Sequence, residues 1–236
     1  MIERERQSGV PVLAIMGPGE FWADETRGPL TPDETKRAMR GPENILRAYD
    51  RFMAQGIYLS PRAQKWLGKR AEKLPPNYIR MTNKVQSRII PVAGRQVGIV
   101  YFAQTDDAAG LKRAQADALE AGRKLRGQAD LLIGVSPWGR DSERVFAEKT
   151  DGLFHIILGG GPGYGFGASV IGKNEGLLWV RPEAQGIAAN LVQISAWPDP
   201  ALHIWGYDAN YRAEVIMLSP AIPSDPVILG LFPPDE

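Results

Sequence analysis

Short apolar runs alternate with amphipathic segments over the first 160 residues of this chain. Apolar runs of four to eight residues, bounded by glycine, proline or polar positions, predict buried strands. Six such runs occur: VPVLAIM (10–16), YIRMTN (78–83), SRIIPV (87–92), QVGIVYF (96–102), DLLIGVS (130–136) and LFHIILG (153–159). The shorter run IYL (57–59) also predicts a strand. Because helical patterns separate most of them, we predict an α/β (α+β) fold with a mostly parallel or mixed sheet covered on both faces.

Capping residues mark the beginnings of the helices. Thr31-Pro32-Asp33-Glu34 and Ser60-Pro61 each place a capping hydroxyl before a proline at the first helical position. A further helix is predicted after Gly41-Pro42, with an apolar face made of Ile45, Leu46, Tyr49, Phe52 and Met53. The clearest helix covers 108–126, where Glu120 and Lys124 form a favourable i,i+4 pair. The segment RDSERVFAEKT (140–150) predicts another helix.

The pattern changes after residue 165, where strands follow one another with little helix between them. The strand-like segments are SVIG (169–172), GLLWVRP (176–182), IAANLVQISAWP (187–198), LHIWGYD (202–208) and AEVIMLSP (213–220). No flexible linker separates the two halves, so residues 1–236 are predicted to form a single domain. We expect residues 1–9 to form an N-terminal arm and the proline-rich residues 219–236 to form an extended tail.

Composition narrows the classes of function. The chain has 28 basic and 27 acidic residues, a net charge of +1 and no basic stripe, which argues against nucleic-acid binding. It contains no cysteine, so disulfides, thiolate metal sites and cysteine nucleophiles are excluded. Its apolar runs are shorter than the roughly 20 residues that span a bilayer. The N-terminus lacks the pattern of a signal peptide, so we expect either a cytoplasmic protein or a chain without its leader.

One long segment resembles a known family. Residues 129–167 read ADLLIGVSPWGRDSERVFAEKTDGLFHIILGGGPGYGFG, in the order strand, loop, helix, strand, glycine loop. This order resembles the second half of a dinuclear metallophosphoesterase domain of the 5'-nucleotidase (UshA-like) branch, and the resemblance runs from about residue 10 to about residue 220. It implies a β-sandwich of two mixed sheets flanked by helices, with the first strand missing. It also implies a periplasmic or membrane-associated location.

The residues that bind metal in that family are replaced here. Its late histidines fall on Pro137, Gly161 and Gly163. Its earlier metal-binding blocks fall near Pro18 and Glu20, and near Ser60 and Pro61. A dinuclear hydrolase needs roughly four or five nitrogen or oxygen ligands for each ion, and proline and glycine side chains have no lone pair to donate. The resemblance therefore predicts a protein without metal or cofactor. We expect a non-catalytic binding or structural subunit of a larger assembly, with other protein subunits as partners.

Three alternatives stay open at this point. A rebuilt site around Glu20, Asp24, Asp141 and His155 would make the chain a metal-dependent phosphomonoesterase. The glycine-rich loop 159–167 follows a strand, so its backbone amides form either a structural turn or an anion-binding nest, and a nest would make the chain a sensor of anions or nucleotides. The family positions also place four side chains around the former active site, where they would contact a partner or an anion: Trp22, Trp138, Arg140 and Asp141.

The chain has only two histidines, His155 and His203, and both lie in apolar segments. Such histidines are usually hydrogen-bonded residues of the core, and we expect this role for both. Ser60 stands directly before Pro61, so it is better explained as a helix cap than as a nucleophile.

Overall fold

The chain forms two compact units. The structure, a computed structural model, describes residues 6–17, 44–150, 152–172, 175–183, 188–199, 203–219 and 225–231. Unit 1 comprises the part of the chain up to Arg80 together with the part from Ser219 onward, and unit 2 comprises Met81–Leu218. The predicted helix start at Thr31 lies outside the described residues. A single domain over 1–236 stays a prediction.

Unit 1 contains a three-stranded parallel sheet. The strands β1 (Ile15–Met16), β2 (Gly56–Leu59) and β3 (Tyr78–Arg80) pair in that order. The helix α1, described over residues 44–52, precedes β2 as predicted. Strand β2 is buried along its whole length because the helices and neighbouring strands pack around its apolar side chains. The predicted strand 10–16 is shorter than expected, since only its last two residues pair with β2.

The helix α2 (Pro61–Leu67) begins as the sequence predicts and continues into a 3₁₀ turn, Gly68–Lys73. The Ser60 hydroxyl accepts a hydrogen bond from the Ala63 N–H at 3.2 Å, which confirms Ser60 as a helix cap.

The expectation of an extended C-terminal tail is wrong for its described part. Residues Pro226–Leu231 form a short helix, α5. Asp225 Oδ1 accepts hydrogen bonds from the N–H groups of Val227 (2.8 Å) and Ile228 (3.3 Å), and Pro226 follows the cap. This Asp-Pro pair is the same capping signal as Ser60-Pro61, so the sequence contained the information. Of the predicted N-terminal arm, Arg6 is held by hydrogen bonds to the carbonyls of Phe52 and Met53.

Unit 2 is built on a six-stranded mixed sheet. Its strands are β4 (Gln86–Val92), β5 (Arg95–Tyr101), β6 (Leu131–Ser136), β7 (Ile156–Gly159), β8 (Gly167–Ile171) and β9 (Leu177–Arg181). They pair in the order β4-β5-β6-β7-β9-β8. The four central strands β5, β6, β7 and β9 run parallel, and an antiparallel strand closes each edge. A separate antiparallel pair joins β10 (Ala188–Ile194) to β11 (Tyr211–Met217).

Helices connect the three successive parallel strands β5, β6 and β7 of unit 2. The helix α3 (Ala108–Arg126) matches its prediction, begins at an Asp107 cap and carries the Glu120–Lys124 pair at 2.5 Å. The helix α4 (Arg140–Lys149) follows β6. The core of the unit includes the aromatic rings of Phe102, Phe146 and Phe154. The coarse prediction of a mixed α/β fold with sheets flanked by helices is therefore confirmed.

The predicted strand 202–208 is wrong in its described part, because residues 203–206 lie outside any strand. Here Asn210 competes with a strand ladder by bonding the local backbone. Its side-chain oxygen accepts from the Gly206 N–H at 2.9 Å, and its amide donates to the Ile204 carbonyl at 2.7 Å. None of the helices in the described ranges is long and apolar enough to cross a lipid bilayer.

Candidate functional site

The carboxyl ends of the parallel strands of unit 2 meet at one edge of its sheet. In open α/β sheets ligands bind at this edge, in the loops that follow the strands. Two loops here carry the positions that the sequence singled out: residues 137–141 follow β6, and residues 160–166 follow β7. The register pairs Ser136 with Gly159, so the two loops leave the sheet side by side. We call these two loops the carboxyl-edge loops.

The carboxyl-edge loops bring together six of the predicted site residues. Gly139 donates its N–H to the Gly160 carbonyl at 3.0 Å, and Arg140 donates its N–H to the Pro162 carbonyl at 2.9 Å. Backbone hydrogen bonds thus join the loop after β6 to the glycine loop. The site residues in these loops are Pro137, Trp138, Arg140, Asp141, Gly161 and Gly163. Ser60 and Pro61 belong to unit 1. Pro18, Glu20, Trp22 and Asp24 lie outside the described residues.

A buried ion pair lies directly behind the glycine loop. Glu143, in the first turn of α4, and Arg181, the last residue of β9, form a salt bridge through Oε2 and Nη1. Their side chains are 0% and 2% exposed. Two charges this deeply buried are stable only when they neutralise each other and their remaining polar atoms are hydrogen-bonded.

The Arg181 guanidinium holds the carbonyls of the glycine loop. Nη1 donates to the Gly160 carbonyl at 3.0 Å, and Nη2 donates to the carbonyls of Gly161 (3.0 Å) and Pro162 (3.1 Å). Three successive carbonyl oxygens therefore point inward at one cation. Only arginine offers several donors in a fixed planar arrangement, so a lysine at this position would not reproduce these contacts.

The Glu143 carboxylate completes the cluster. Oε1 accepts from the Gly160 N–H at 3.0 Å, and Oε2 accepts from Trp179 Nε1 at 3.1 Å as well as from Arg181. The sequence left open whether the glycine loop is a turn or an anion nest. The structure shows that the amide of Gly160 already binds an anionic group, and that this group is the chain's own carboxylate.

The glycines of the loop are required by close contacts. A side chain at Gly159 would overlap the Glu143 carboxylate, and one at Gly161 would overlap the Pro137 carbonyl. A Cβ at Gly163 would lie 2.7 Å from the Cβ of Arg140. Gly161 and Gly163 also have φ values of +71° and +105°, which disfavour other residues. In this geometry neither position has room for a histidine side chain.

Trp138 packs inside the unit. Its ring stacks on Phe102 with centroids 4.6 Å apart, and its Nε1 donates to the Ala103 carbonyl at 2.7 Å. The tryptophan expected to ring the former site thus lies over the end of β5 as part of the packing.

Arg140, Asp141 and Tyr164 form the outer face of the carboxyl-edge loops. The Arg140 guanidinium stacks on the Tyr164 ring at 4.2 Å from the centroid, and its Nη1 lies 3.7 Å from Asp141 Oδ1. Tyr164 is 61% exposed and the Asp141 side chain is 97% exposed. These side chains are therefore available to a partner molecule.

His155 lies at the opposite end of the strands, directly before β7, and is fully buried. Its Nδ1 accepts from the Leu132 N–H at 2.8 Å, and its carbonyl accepts from Trp205 Nε1 at 2.8 Å. The predicted role as a hydrogen-bonded core histidine is confirmed. The rebuilt site would need His155 beside Asp141, but Asp141 lies near the carboxyl end of β6. In the described parts of the chain no group of three or more His, Cys, Asp or Glu residues is arranged to hold a metal ion.

The protonation of His155 follows from its surroundings. Burial, the positive charge of Arg126 and the neighbouring His203 lower the pKa of His155 from 6.5 to about 3. Burial also lowers the pKa of His203, with a contribution from Arg126 that the charge of Asp199 opposes. Both histidines are therefore neutral near pH 7.

Sequence reasoning missed the central pair, Glu143 and Arg181. Two signals were available. Arg181 ends the otherwise apolar run LLWVR, and Glu143 falls on the same face of α4 as the buried residues Phe146 and Ala147. A charged residue on each of two buried faces predicts an internal ion pair, because neither charge is stable alone in the core.

Comparisons with known proteins give little information about the family of this chain. No family model matches it, and no curated protein matches it. Among solved structures, it is similar to a hypothetical protein from Thermus thermophilus. That similarity has a TM-score of 0.47 and 16% sequence identity, and covers 76% of this chain and 67% of the other.

We predict that Arg181→Met destabilises the protein strongly. Removing one partner of a buried ion pair leaves the other charge unpaired and costs about 3–5 kcal/mol in the free energy of unfolding. Adding Glu143→Gln removes the unpaired charge and should recover part of the loss. Unfolding in urea gives the free energy of unfolding of the single and the double variant. Arg212→Met, which removes an exposed pair with Asp208, is the control and should cost about 1 kcal/mol or less. A similarly small loss for Arg181→Met would contradict the central role of the pair.

We predict that Gly161→Ala costs more stability than Gly94→Ala. The two glycines have similar φ values, +71° and +74°, so both variants lose about 1–2 kcal/mol from backbone strain. A Cβ at Gly94 meets no atom within 4 Å, whereas one at Gly161 overlaps the Pro137 carbonyl. Gly161→Ala should therefore lose about 1–3 kcal/mol more. If Gly161→Ala and Gly94→Ala unfold in urea with the same midpoint and slope, the contact between position 161 and the Pro137 carbonyl does not affect stability.

We predict that acid destabilises the protein through His155. The unfolded histidine titrates near pH 6.5 and the folded one near pH 3, so the unfolded chain binds more protons between these values. The contribution of His155 to the free energy of unfolding is therefore fully present above pH 6.5. It falls as the pH drops, by at most about 1.4 kcal/mol per pH unit. His155→Asn keeps an acceptor for the Leu132 N–H but does not titrate. Its unfolding free energy, measured from pH 7 to pH 4, should therefore depend less on pH than that of the wild type. If the unfolding free energies of His155→Asn and of the wild type change equally with pH, the prediction that acid acts through His155 is wrong.

Proposed function

We propose that this chain is a non-catalytic member of the metallophosphoesterase fold that acts as a binding or structural subunit of a larger protein assembly. The proposal includes the family's sandwich of two mixed sheets flanked by helices, and it rests on the resemblance of residues 129–167 together with the geometry of the carboxyl-edge loops. A periplasmic or membrane-associated location belongs to the same proposal.

One observation carries the proposal. Pro137, Gly161 and Gly163 stand where the family has histidines, and the two glycines are packed against Pro137 and Arg140. The replaced positions are thus part of a closely packed contact between two loops. Replacing either glycine with histidine would not create a metal ligand unless the two loops moved apart.

The electrostatics of the cluster point the same way. The carbonyls of the glycine loop and the Glu143 carboxylate all bind the Arg181 guanidinium. These oxygen atoms already accept hydrogen bonds from Arg181, Trp179 and the Gly160 N–H, so they are not free to bind a metal ion. The arrangement supports a structural role for the loops.

The outer face of these loops suggests where a partner binds. Tyr164 is exposed and is stacked by Arg140, and tyrosine and arginine are enriched at the energetic centres of protein interfaces. Asp141 adds an exposed charge beside them. We therefore place the partner contact on Tyr164, Arg140 and Asp141.

We predict that protein produced with added manganese, zinc and iron carries far less than one metal ion per chain. It should also release no phosphate from a generic phosphomonoester. Elemental analysis and a turnover assay measure these two properties. Stoichiometric metal, or metal-dependent turnover that is lost in Glu20→Gln, would refute the proposal and favour the rebuilt phosphomonoesterase site.

We also predict that the partner protein binds at Tyr164. Affinity capture from the native source, followed by mass spectrometry, should recover a protein with the wild type and lose it with Tyr164→Ser. Tyr207→Ser is the matched control, because Tyr207 is also 61% exposed but lies in the turn before β11. If both variants recover the same amount of the partner protein, the partner does not bind at the carboxyl-edge loops.

A further inference from the structure

The strand β11 has one edge that pairs with no other strand in the described parts of the chain. It pairs antiparallel with β10 alone, from Ala188↔Met217 to Ile194↔Tyr211, in a sheet of two strands. An unpaired edge presents backbone N–H and C=O groups to which another strand can bind. The side chains along this strand therefore decide which strand that is.

The β10–β11 pair rests on β8 with one of its faces. Asn190 and Val215 lie directly opposite each other in the pair, and both contact Gly167 at the start of β8. Asn190 Nδ2 donates to the Gly167 carbonyl at 3.4 Å, and a Cβ at Gly167 would lie 2.6 Å from Val215 Cγ2. Because side chains alternate between the two faces of a strand, Arg212 and Glu214 project from the opposite face.

That opposite face of β11 carries one exposed charge of each sign. Across the pair, Arg212 faces Gln193 and Glu214 faces Leu191, so β10 neutralises neither of them. Arg212 also forms an ion pair with Asp208 of its own chain at 2.6 Å, but both side chains are more than half exposed and such a pair contributes little. A strand beside β11 thus meets a positive and a negative group two residues apart.

This charge pattern is complementary to itself when the strand direction is reversed. If two copies of β11 pair antiparallel about a two-fold axis at Ala213, Arg212 of each copy lies opposite Glu214 of the other. Axes at Arg212 or at Glu214 would place like charges opposite each other. Axes at Val215 or at Ile216 would place Glu214 opposite an apolar side chain. The charges therefore select one register.

We propose that β11 pairs antiparallel with β11 of a second copy of this chain about a two-fold axis at Ala213. The two β10–β11 pairs then form one continuous sheet, and the backbone groups at the open edge of β11 gain partners. The strand β10 has no charged residue to select a register, which favours β11 as the contact. This interface lies outside the carboxyl-edge loops and does not depend on the function proposed for them.

The first test measures the oligomeric state of the whole chain by sedimentation velocity, from about 1 to 100 µM at pH 7.5. We expect a reversible dimer that added salt weakens, because exposed ion pairs are screened. Arg212→Glu and Glu214→Arg each create two like-charge contacts in the dimer, and each should weaken dimerisation about tenfold or more. Arg144→Glu is the matched control, since it also reverses an arginine of an exposed i,i+4 pair, and it should dimerise like the wild type.

Mixing the two variants separates a lost interface from a misfolded chain. In an equimolar mixture of Arg212→Glu and Glu214→Arg, unlike charges lie opposite each other again at both positions of a mixed dimer. We therefore expect the mixture to dimerise although each variant alone does so weakly. A variant that failed to fold could not restore dimerisation in this way.

A single cysteine tests the register. The chain has no cysteine, so Ala213→Cys introduces its only thiol at the proposed axis. Opposed Cα atoms in an antiparallel pair are about 4.5–5.5 Å apart, which lies within the range of disulfides. Mild oxidation should therefore link two chains of this variant. Val145→Cys, which places the thiol at an exposed position of α4, should not form a linked dimer to a comparable extent.

Two results would overturn the proposal. If the wild type sediments as a monomer at about 100 µM, a second copy does not bind at β11. If the wild type dimerises but Arg212→Glu dimerises as tightly as Arg144→Glu, the two copies meet at another surface. Metal binding or loss of the partner protein at the carboxyl-edge loops would refute the proposed function and leave this interface unaffected.

Discussion

The buried pair of Glu143 and Arg181 is the interaction on which the carboxyl edge of unit 2 depends. The strands β7 and β9 end there, and the chain after β7 must turn sharply within a short glycine-rich loop. Such a turn directs several carbonyl oxygens to one side, and buried carbonyls need donors. Arg181 supplies the donors, Glu143 neutralises it, and the pair fixes the path of the loop.

This constraint explains the composition of the loop. Once the carbonyls converge on Arg181, the backbone at Gly161 and Gly163 has positive φ and runs directly against the neighbouring loop. Side chains are excluded on both grounds. The residues that the resemblance identifies as lost metal ligands are therefore also the residues that this packing requires. That coincidence supports the proposal of a structural role, because the packing and a metal site would need the same space.

The two ends of the sheet in unit 2 differ in how completely their polar groups are satisfied. At the carboxyl edge, Glu143 accepts three hydrogen bonds and Arg181 donates to four oxygens. At the opposite end, His155 presents a buried Nε2–H for which the described residues supply no acceptor. The carboxyl edge thus satisfies most polar atoms of this pair internally, although Arg181 Nε has no hydrogen-bond partner among the described residues.

Much of the local structure follows from residues that are close together in the sequence. Runs such as QVGIVYF, the capping pairs Ser60-Pro61 and Asp225-Pro226, and the helix 108–126 each carry their signal within a few neighbouring residues, as do hydrophobic periodicity and capping in general. Where a side chain far along the chain decides the outcome, local patterns fail. Glu143 and Arg181 lie 38 residues apart, and the Leu132–His155 bond that fixes a tautomer spans 23. Only the tertiary structure brings these groups together, because burial turns an ordinary charge or imidazole into one that must find a partner.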